Sequence, residues 1–151
     1  LNTNSVKPFL TYLSDFHQTS VYIFTDVDCH YCRKLHLDIK KLKKLKKLKK
    51  LNKLGISIKY LTFPRGGDNS TTYAKMLSAI CSKNTQESFE SLMKGKKISD
   101  IQCDNKSIKE HMNLVKYLNL TVTPSIITEN GRLIEGYNTA DELAKDLEIL
   151  D

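Results

Sequence analysis

The residues most able to do chemistry are Cys29-His30-Tyr31-Cys32. Two thiols with two residues between them can close into a disulfide, and on a helix they lie one turn apart on the same face. The apolar run Val21-Tyr22-Ile23-Phe24-Thr25 precedes them, with the length and the β-branched and aromatic content of a buried strand. A helical pattern follows through Leu35 and Ile39. Cys29 is therefore expected where a strand hands over to a helix. Unpaired N–H groups at a helix start favour negative charge, so Cys29 is expected to be the reactive thiolate and Cys32 its disulfide partner. His30 stabilises that thiolate when protonated. The same spacing also suits half of a zinc site, but zinc needs four ligands. Cys81 and Cys103 lack the paired spacing, and His30 sits poorly for joining both neighbours on one ion. No metal and no organic cofactor are expected, and His17, His36 and His111 read as surface or packing residues.

A second signal is Thr121-Val122-Thr123-Pro124-Ser125. A proline at the entry to a strand can hold a cis bond. Such a turn points the backbone of Thr123 at the thiol pair, where an extended substrate strand could pair with it.

The rest of the chain must position these two segments. It has 151 residues, 40% hydrophobic and 27% charged, which reads as one globular domain. No apolar run reaches the ~18 residues of a membrane span. The chain opens at Leu1 rather than Met and shows no signal-peptide pattern, as a processed chain would; localisation is not read from that end. The net charge of +7 is local, because nine lysines lie between Lys40 and Lys53, and removing those nine from +7 leaves −2. No nucleic-acid partner is expected. The leucines of the Lys-Lys-Leu repeat drift by about 60° per step around a helix and form no single apolar face. The repeat reads as a solvated extension of the first helix, with weak contact to an anionic surface through Lys40–Lys53 as the sharper alternative.

Residues 1–17 are expected to form a helix, with Val6, Phe9, Leu10, Leu13 and Phe16 on one face. Ile56–Phe63 reads as the second strand, parallel to the first across a right-handed crossover. Residues 69–119 read as helices, the last opened by a Ser107/Glu110 capping box. Ser125–Thr128 and Arg132–Glu135 flank Asn130-Gly131, a type I′ hairpin signal, and Thr139 with Glu142 caps a final helix. Cys81 ends one helix of the insert and Cys103 precedes the last, so a bridge between them would tie the insert together. The even cysteine count fits an oxidising compartment. The order βαβ, helices, ββα is an α/β, thioredoxin-like fold with a helical insertion and an N-terminal linker-type helix.

Phe24-Thr25-Asp26 leading into Cys29-His30-Tyr31-Cys32 and Lys34-Leu35-His36 resembles the catalytic domain of the DsbC/DsbG family of periplasmic disulfide isomerases. So do Leu54-Gly55-Ile56, Phe63-Pro64-Arg65, Thr123-Pro124 and Gly136-Tyr137. The resemblance covers about residues 18–150. It implies that Cys29 attacks substrate disulfides and Cys32 resolves the mixed disulfide. It further implies that His30 and Tyr31 tune the pair, Thr123 and Pro124 bind substrate, and Cys81–Cys103 is a structural disulfide. It implies a periplasmic location, substrate proteins with non-native disulfides, and a DsbD-like membrane reductase as electron donor. A homodimer is implied if a dimerisation region precedes residue 1, with residues 1–17 as a linker remnant and 18–151 as the catalytic domain. Two departures stand out. Asp28 places a negative charge beside Cys29, and Ile23 occupies the position six before the first cysteine where thioredoxins keep a buried carboxylate. The activity expected is disulfide isomerase or reductase. The alternatives are a monomeric dithiol oxidase, or a non-redox holdase or metal-binding module.

Overall fold

The computed structural model describes residues 6–14, 19–44, 56–139 and 142–143, with side chains of the first helix described as far as Lys40. Strand β2 (Thr19–Thr25) is the centre of the sheet. It pairs in parallel with β3 (Ile56–Thr62) and antiparallel with β4 (Ser125–Thr128). Strands β1 (Leu10–Tyr12) and β5 (Leu133–Glu135) are the two edges, giving the order β1-β3-β2-β4-β5. Helix α1 (His30–Lys44) makes the crossover from β2 to β3. Helices α2 (Thr71–Cys81), α3 (Thr85–Met93) and α4 (Ser107–Tyr117) lie between β3 and β4.

The near-continuous apolar run of β2 follows from burial on both faces. Val21 and Ile23 join Cys32, Leu35 and Ile39 of α1 and Phe89, Leu92 and Met93 of α3 in one core. Tyr22 and Phe24 join Leu61, Val115 and Leu120 in the other. The sheet is thereby clamped, and its β2 end is a fixed platform for Cys29.

The segment expected to be the N-terminal helix is instead strand β1 among the residues described. Leu10–Tyr12 pairs antiparallel with β3, and the Phe9 N–H donates to Tyr60 O at 3.1 Å. A free edge of β3 offers backbone partners to β-branched and aromatic Thr11 and Tyr12, and this outweighs the helical spacing of the apolar residues. Aromatic packing of Phe9 against Phe89 (5.2 Å) and Tyr12 against Tyr60 (6.0 Å) secures the strand. The Tyr12 hydroxyl donates to Glu90, which Lys40 also meets at 2.6 Å. Lys40 is thus engaged inside the domain rather than offered to an anionic surface. The remainder of the lysine repeat lies outside the described side chains, as do Gly55, His17 and most of the segment expected to form the final helix.

Two local expectations are corrected. Ser107 does not cap α4; its N–H and hydroxyl both donate to Asn105 Oδ1, and the residue before the helix makes no side-chain cap. The hairpin turn is not type I′, because Gly131 has φ +89° while Asn119 is the only described non-glycine with positive φ. The Gly131 N–H donates to Thr128 O, and a turn followed by a left-handed glycine closes the hairpin. The Thr139/Glu142 capping box is present, each backbone N–H donating to the other's side chain.

Helix α4 ends in a Schellman arrangement. The Leu120 N–H reaches Val115 O (3.0 Å) and the Asn119 N–H reaches Lys116 O (3.1 Å), with Asn119 at φ 55°. This turn delivers the chain to Thr123-Pro124, immediately before β4. Cys81 and Cys103 form a disulfide across a separation of 22 residues, joining the end of α2 to the segment before α4. Replacing both by Ala is expected to cost about 3 kcal/mol of stability from lost loop constraint, read as a lower melting temperature. Because none of the groups that act on Cys29 belongs to that bridge, the alkylation rate of Cys29 should change by less than about twofold. A folded double variant with an unreactive Cys29 would contradict this.

Candidate active site

Cys29 sits at the N-cap of α1. Its carbonyl accepts the Arg33 N–H at 3.0 Å, the first bond of the helix, and its own N–H donates to Asp26 O at 3.1 Å. A side chain at this position accepts from the first turn, commonly through oxygen. Here the acceptor is sulfur: the Cys32 backbone N–H and the Cys32 thiol both favour the Cys29 thiolate. The Cys32 thiol is the largest influence. Burial opposes it, and the Thr123 hydroxyl and the Arg65 charge add to it; together they bring the Cys29 pKa down to about 5. Cys32 moves the other way. Burial and the neighbouring Cys29 sulfur push its thiol far up. Cys29 is 4% exposed and Cys32 2%, and both are free thiols.

Asp26, 2% exposed, anchors the loop that carries Cys29. Its Oδ1 accepts the Asp28 N–H (2.7 Å), and its Oδ2 accepts the Arg65 N–H (3.0 Å) and Nε (3.1 Å). That pairing brings the Arg65 guanidinium to the thiol pair from the loop after β3. Both residues stand in the motifs that carry the family resemblance, but the sequence assigned neither a role; a lone acid between an apolar strand and a Cys-x-x-Cys was the available signal. Arg33 holds the same loop, its Nε donating to Val27 O at 2.6 Å.

The negative charge of Asp28 is not left to oppose Cys29. Its carboxylate accepts from Thr72 Oγ1 (2.6 Å), Lys75 Nζ (2.9 Å) and Arg33 Nη2 (3.3 Å). Burial works to raise its pKa, but these donors and charges win and hold it below the usual carboxylate range. The insert helix α2 therefore supplies the countercharge that the Cys29 loop needs.

The structure brings all six residues singled out around the thiols into one place. The Thr123–Pro124 bond is cis, and Thr123 O lies 3.6 Å from Cys29 Sγ. The Gly136 N–H to Pro124 O bond and the Ser125 hydroxyl to Val122 O bond pin that loop. His30 and Tyr31 (54% exposed) form the outer rim, with the Tyr31 ring 5.3 Å from His30 and 5.8 Å from Tyr137. Tyr137 is held by its hydroxyl to Asp38 and by Lys34 Nζ 4.9 Å from its ring. Cys81–Cys103 belongs to the insert and not to this site. His36 and His111 are buried: His36 Nδ1 meets Tyr60 OH at 2.8 Å, and His111 Nδ1 accepts the Thr62 N–H at 3.0 Å. Among the described residues no group of three or more His, Cys, Asp or Glu could hold a metal ion, and no helix is long and apolar enough to cross a membrane.

Residues 13–150 match the family described as a thioredoxin-like domain. The chain belongs to that family. This thioredoxin-like domain is 31% identical to the thiol:disulfide interchange protein DsbC of Escherichia coli over 142 residues, covering 94% of this chain and 56% of the relative. It is 33% identical to DsbC of Haemophilus influenzae over 146 residues, covering 96% and 59%. It thus spans little more than half the length of these relatives. A crystal structure of a disulfide interchange protein from Neisseria gonorrhoeae shares the fold at a TM-score of 0.70 and 19% identity, over 90% of this chain and 92% of that one. Proteus mirabilis ScsC does so at 0.71 and 14% identity, over 92% and 70%.

Removing the countercharges with Arg33→Met and Lys75→Met should expose Asp28 to Cys29 and raise the Cys29 pKa by about half a unit to one unit. The pH profile of iodoacetamide alkylation reads this directly. The shift should shrink in high salt, since Lys75 is solvent-exposed. An unmoved profile would mean that Asp28 is not felt at the sulfur.

Proposed function

We propose that this domain catalyses thiol-disulfide interchange on secreted or periplasmic proteins, as a disulfide isomerase or reductase. The opposite ionisation of two thiols one helical turn apart supports this most directly: Cys29 is poised to attack near neutral pH while Cys32 is held protonated. In this reading the Cys29 thiolate attacks a substrate disulfide, forming a mixed disulfide and releasing one substrate thiolate. A second substrate thiol then displaces Cys29, which completes isomerisation. Alternatively Cys32 loses its proton and displaces the substrate, leaving a Cys29–Cys32 disulfide and a reduced substrate. Thr123 and Pro124 offer backbone to an extended substrate strand beside Cys29, and His30 and Tyr31 form the rim it crosses. Similarity to DsbC supports this assignment. The same similarity motivates a periplasmic setting, a DsbD-like membrane reductase that returns the pair to thiols, and, if a dimerisation region precedes residue 1, a homodimer.

One observation favours a second reading. A Cys29 pKa near 5 stabilises the dithiol and makes the disulfide oxidising, which also suits a dithiol oxidase. A scrambled-disulfide refolding assay with a glutathione buffer separates the readings. The isomerase reading expects wild-type recovery of native pairings, near-complete loss in Cys29→Ser, and residual isomerisation in Cys32→Ser. Oxidation of reduced substrate without rearrangement of scrambled substrate would favour the oxidase. Full activity in Cys29→Ser would favour a holdase, and stoichiometric zinc or copper a metal-binding module.

A further inference from the structure

When Cys32 resolves a mixed disulfide its sulfur must carry a negative charge in a nearly sealed site. Cys29 no longer supports it, because its sulfur is then bonded to substrate. Ile23 is apolar and offers nothing. Asp26 is already committed, its two carboxylate oxygens accepting from the Asp28 N–H and from Arg65, and its charge would repel a second anion. The Asp26 backbone N–H favours charge on the Cys32 sulfur, and two side-chain hydroxyls at this end of the sheet, those of Thr123 and Thr25, are not committed elsewhere; Thr123 serves Cys29. The Thr25 hydroxyl is buried, in a residue 1% exposed on the face of β2 that it shares with Val21 and Ile23, which pack with Cys32; it makes no hydrogen bond of regular geometry in the dithiol state, yet it already favours charge on the Cys32 sulfur. Buried hydroxyls without partners are uncommon in folded proteins and each calls for an explanation, a redox or catalytic role among them.

We propose that Thr25 is the hydrogen-bond donor to the Cys32 thiolate in the step that closes the Cys29–Cys32 disulfide, an assignment that rests on the interchange reading above. Thr25 is the last residue of β2 and is held on both sides by the sheet. Its carbonyl accepts the Phe63 N–H at 2.7 Å, and it is in register with Thr62 of β3. The register Phe24↔Ser125 on the other side sets Pro124 next to it. Two unpartnered buried hydroxyls thus stand at the thiol end of the sheet, Thr123 serving Cys29 and Thr25 serving Cys32. In the resting dithiol the Cys32 proton points to the Cys29 thiolate. After Cys29 forms the mixed disulfide, the Cys32 proton leaves to solvent and the Thr25 O–H turns to donate to Cys32 Sγ. Cys32 then attacks Cys29 Sγ, the Cys29–substrate bond breaks, and the electron pair leaves on the substrate sulfur. Cys32 is oxidised and the substrate cysteine reduced, and an external dithiol restores the pair.

Thr25→Val keeps the shape of the side chain and removes only the donor. Formation of the mixed disulfide by Cys29 with a model disulfide should stay within about twofold of wild type. Cys32-dependent release should slow about tenfold at neutral pH, and its pH–rate profile should move up by about one unit, the change in thiolate fraction that one pKa unit makes. Thr25→Ser should restore both, and Thr25→Ala should repeat the Val result if Val perturbs folding. Release at the wild-type rate with an unmoved profile in the Val and Ala variants would overturn the proposal. So would equal slowing of attack and release, which would mark Thr25 as a support of the whole site. Absence of any Cys29–Cys32 turnover in the wild type would instead overturn the interchange reading itself.

Discussion

The fold is organised so that a sulfur atom takes the place of an oxygen at the start of a helix. The first N–H groups of α1 have no partner within the helix, and a negatively charged acceptor there is stabilised by them. Cys29 fills that place, with the Cys32 N–H and thiol aimed at it. Everything that fixes Cys29 serves this contact. Burial of β2 on both faces holds the strand end, the Asp26 carboxylate holds the turn, and Arg33 holds the loop from the helix side. The Asp26 and Arg33 contacts satisfy backbone polar groups that would otherwise lack partners, so the site is also part of the stability of the domain.

A depressed thiol pKa links reactivity to stability with a definite sign. Folding lowers the Cys29 pKa from the ordinary cysteine value of about 8.5 to about 5. The thiolate therefore contributes fully to the stability of the dithiol form above the ordinary thiol pKa, and that contribution is lost as pH falls through about 5. Closing the Cys29–Cys32 disulfide removes the charge and the contact together, which tilts the pair toward acting as an oxidant. Against that tilt stands the cost of moving charge to Cys32, where burial opposes ionisation. In the proposed reaction, how readily Cys32 is ionised would set the balance between rearranging a substrate and reducing it, which gives weight to the buried polar groups around Cys32.

Much of this was legible in the residues. The Val21–Thr25 run, the Cys-x-x-Cys and the Thr-Pro before β4 specify their elements through strong local signals, and the structure places them together. Other features depend on contacts between segments distant in the chain. Nothing local distinguishes Asp28 as a threat to the thiolate from Asp28 as a neutralised anchor; that is decided by Thr72 and Lys75 on α2. Arg65 acquires its place only because Asp26 is buried beneath it. The segment around Leu10 carries helical spacing, yet an open edge on β3 draws it into the sheet. Asn130-Gly131 marks a hairpin correctly but with the wrong turn, because Asn130 bonds the Thr128 side chain and keeps negative φ. Local pattern thus sufficed where one segment determines the outcome and failed where an edge or a countercharge comes from elsewhere.

The central claim is that Cys29 is ionised because it caps the first turn of α1. Titration of the thiolate ultraviolet absorbance in the reduced protein, with Cys29→Ser as the blank, tests it most directly. The account predicts a single sulfur ionising with a midpoint near 5. A midpoint near the ordinary cysteine value of about 8.5 would contradict it.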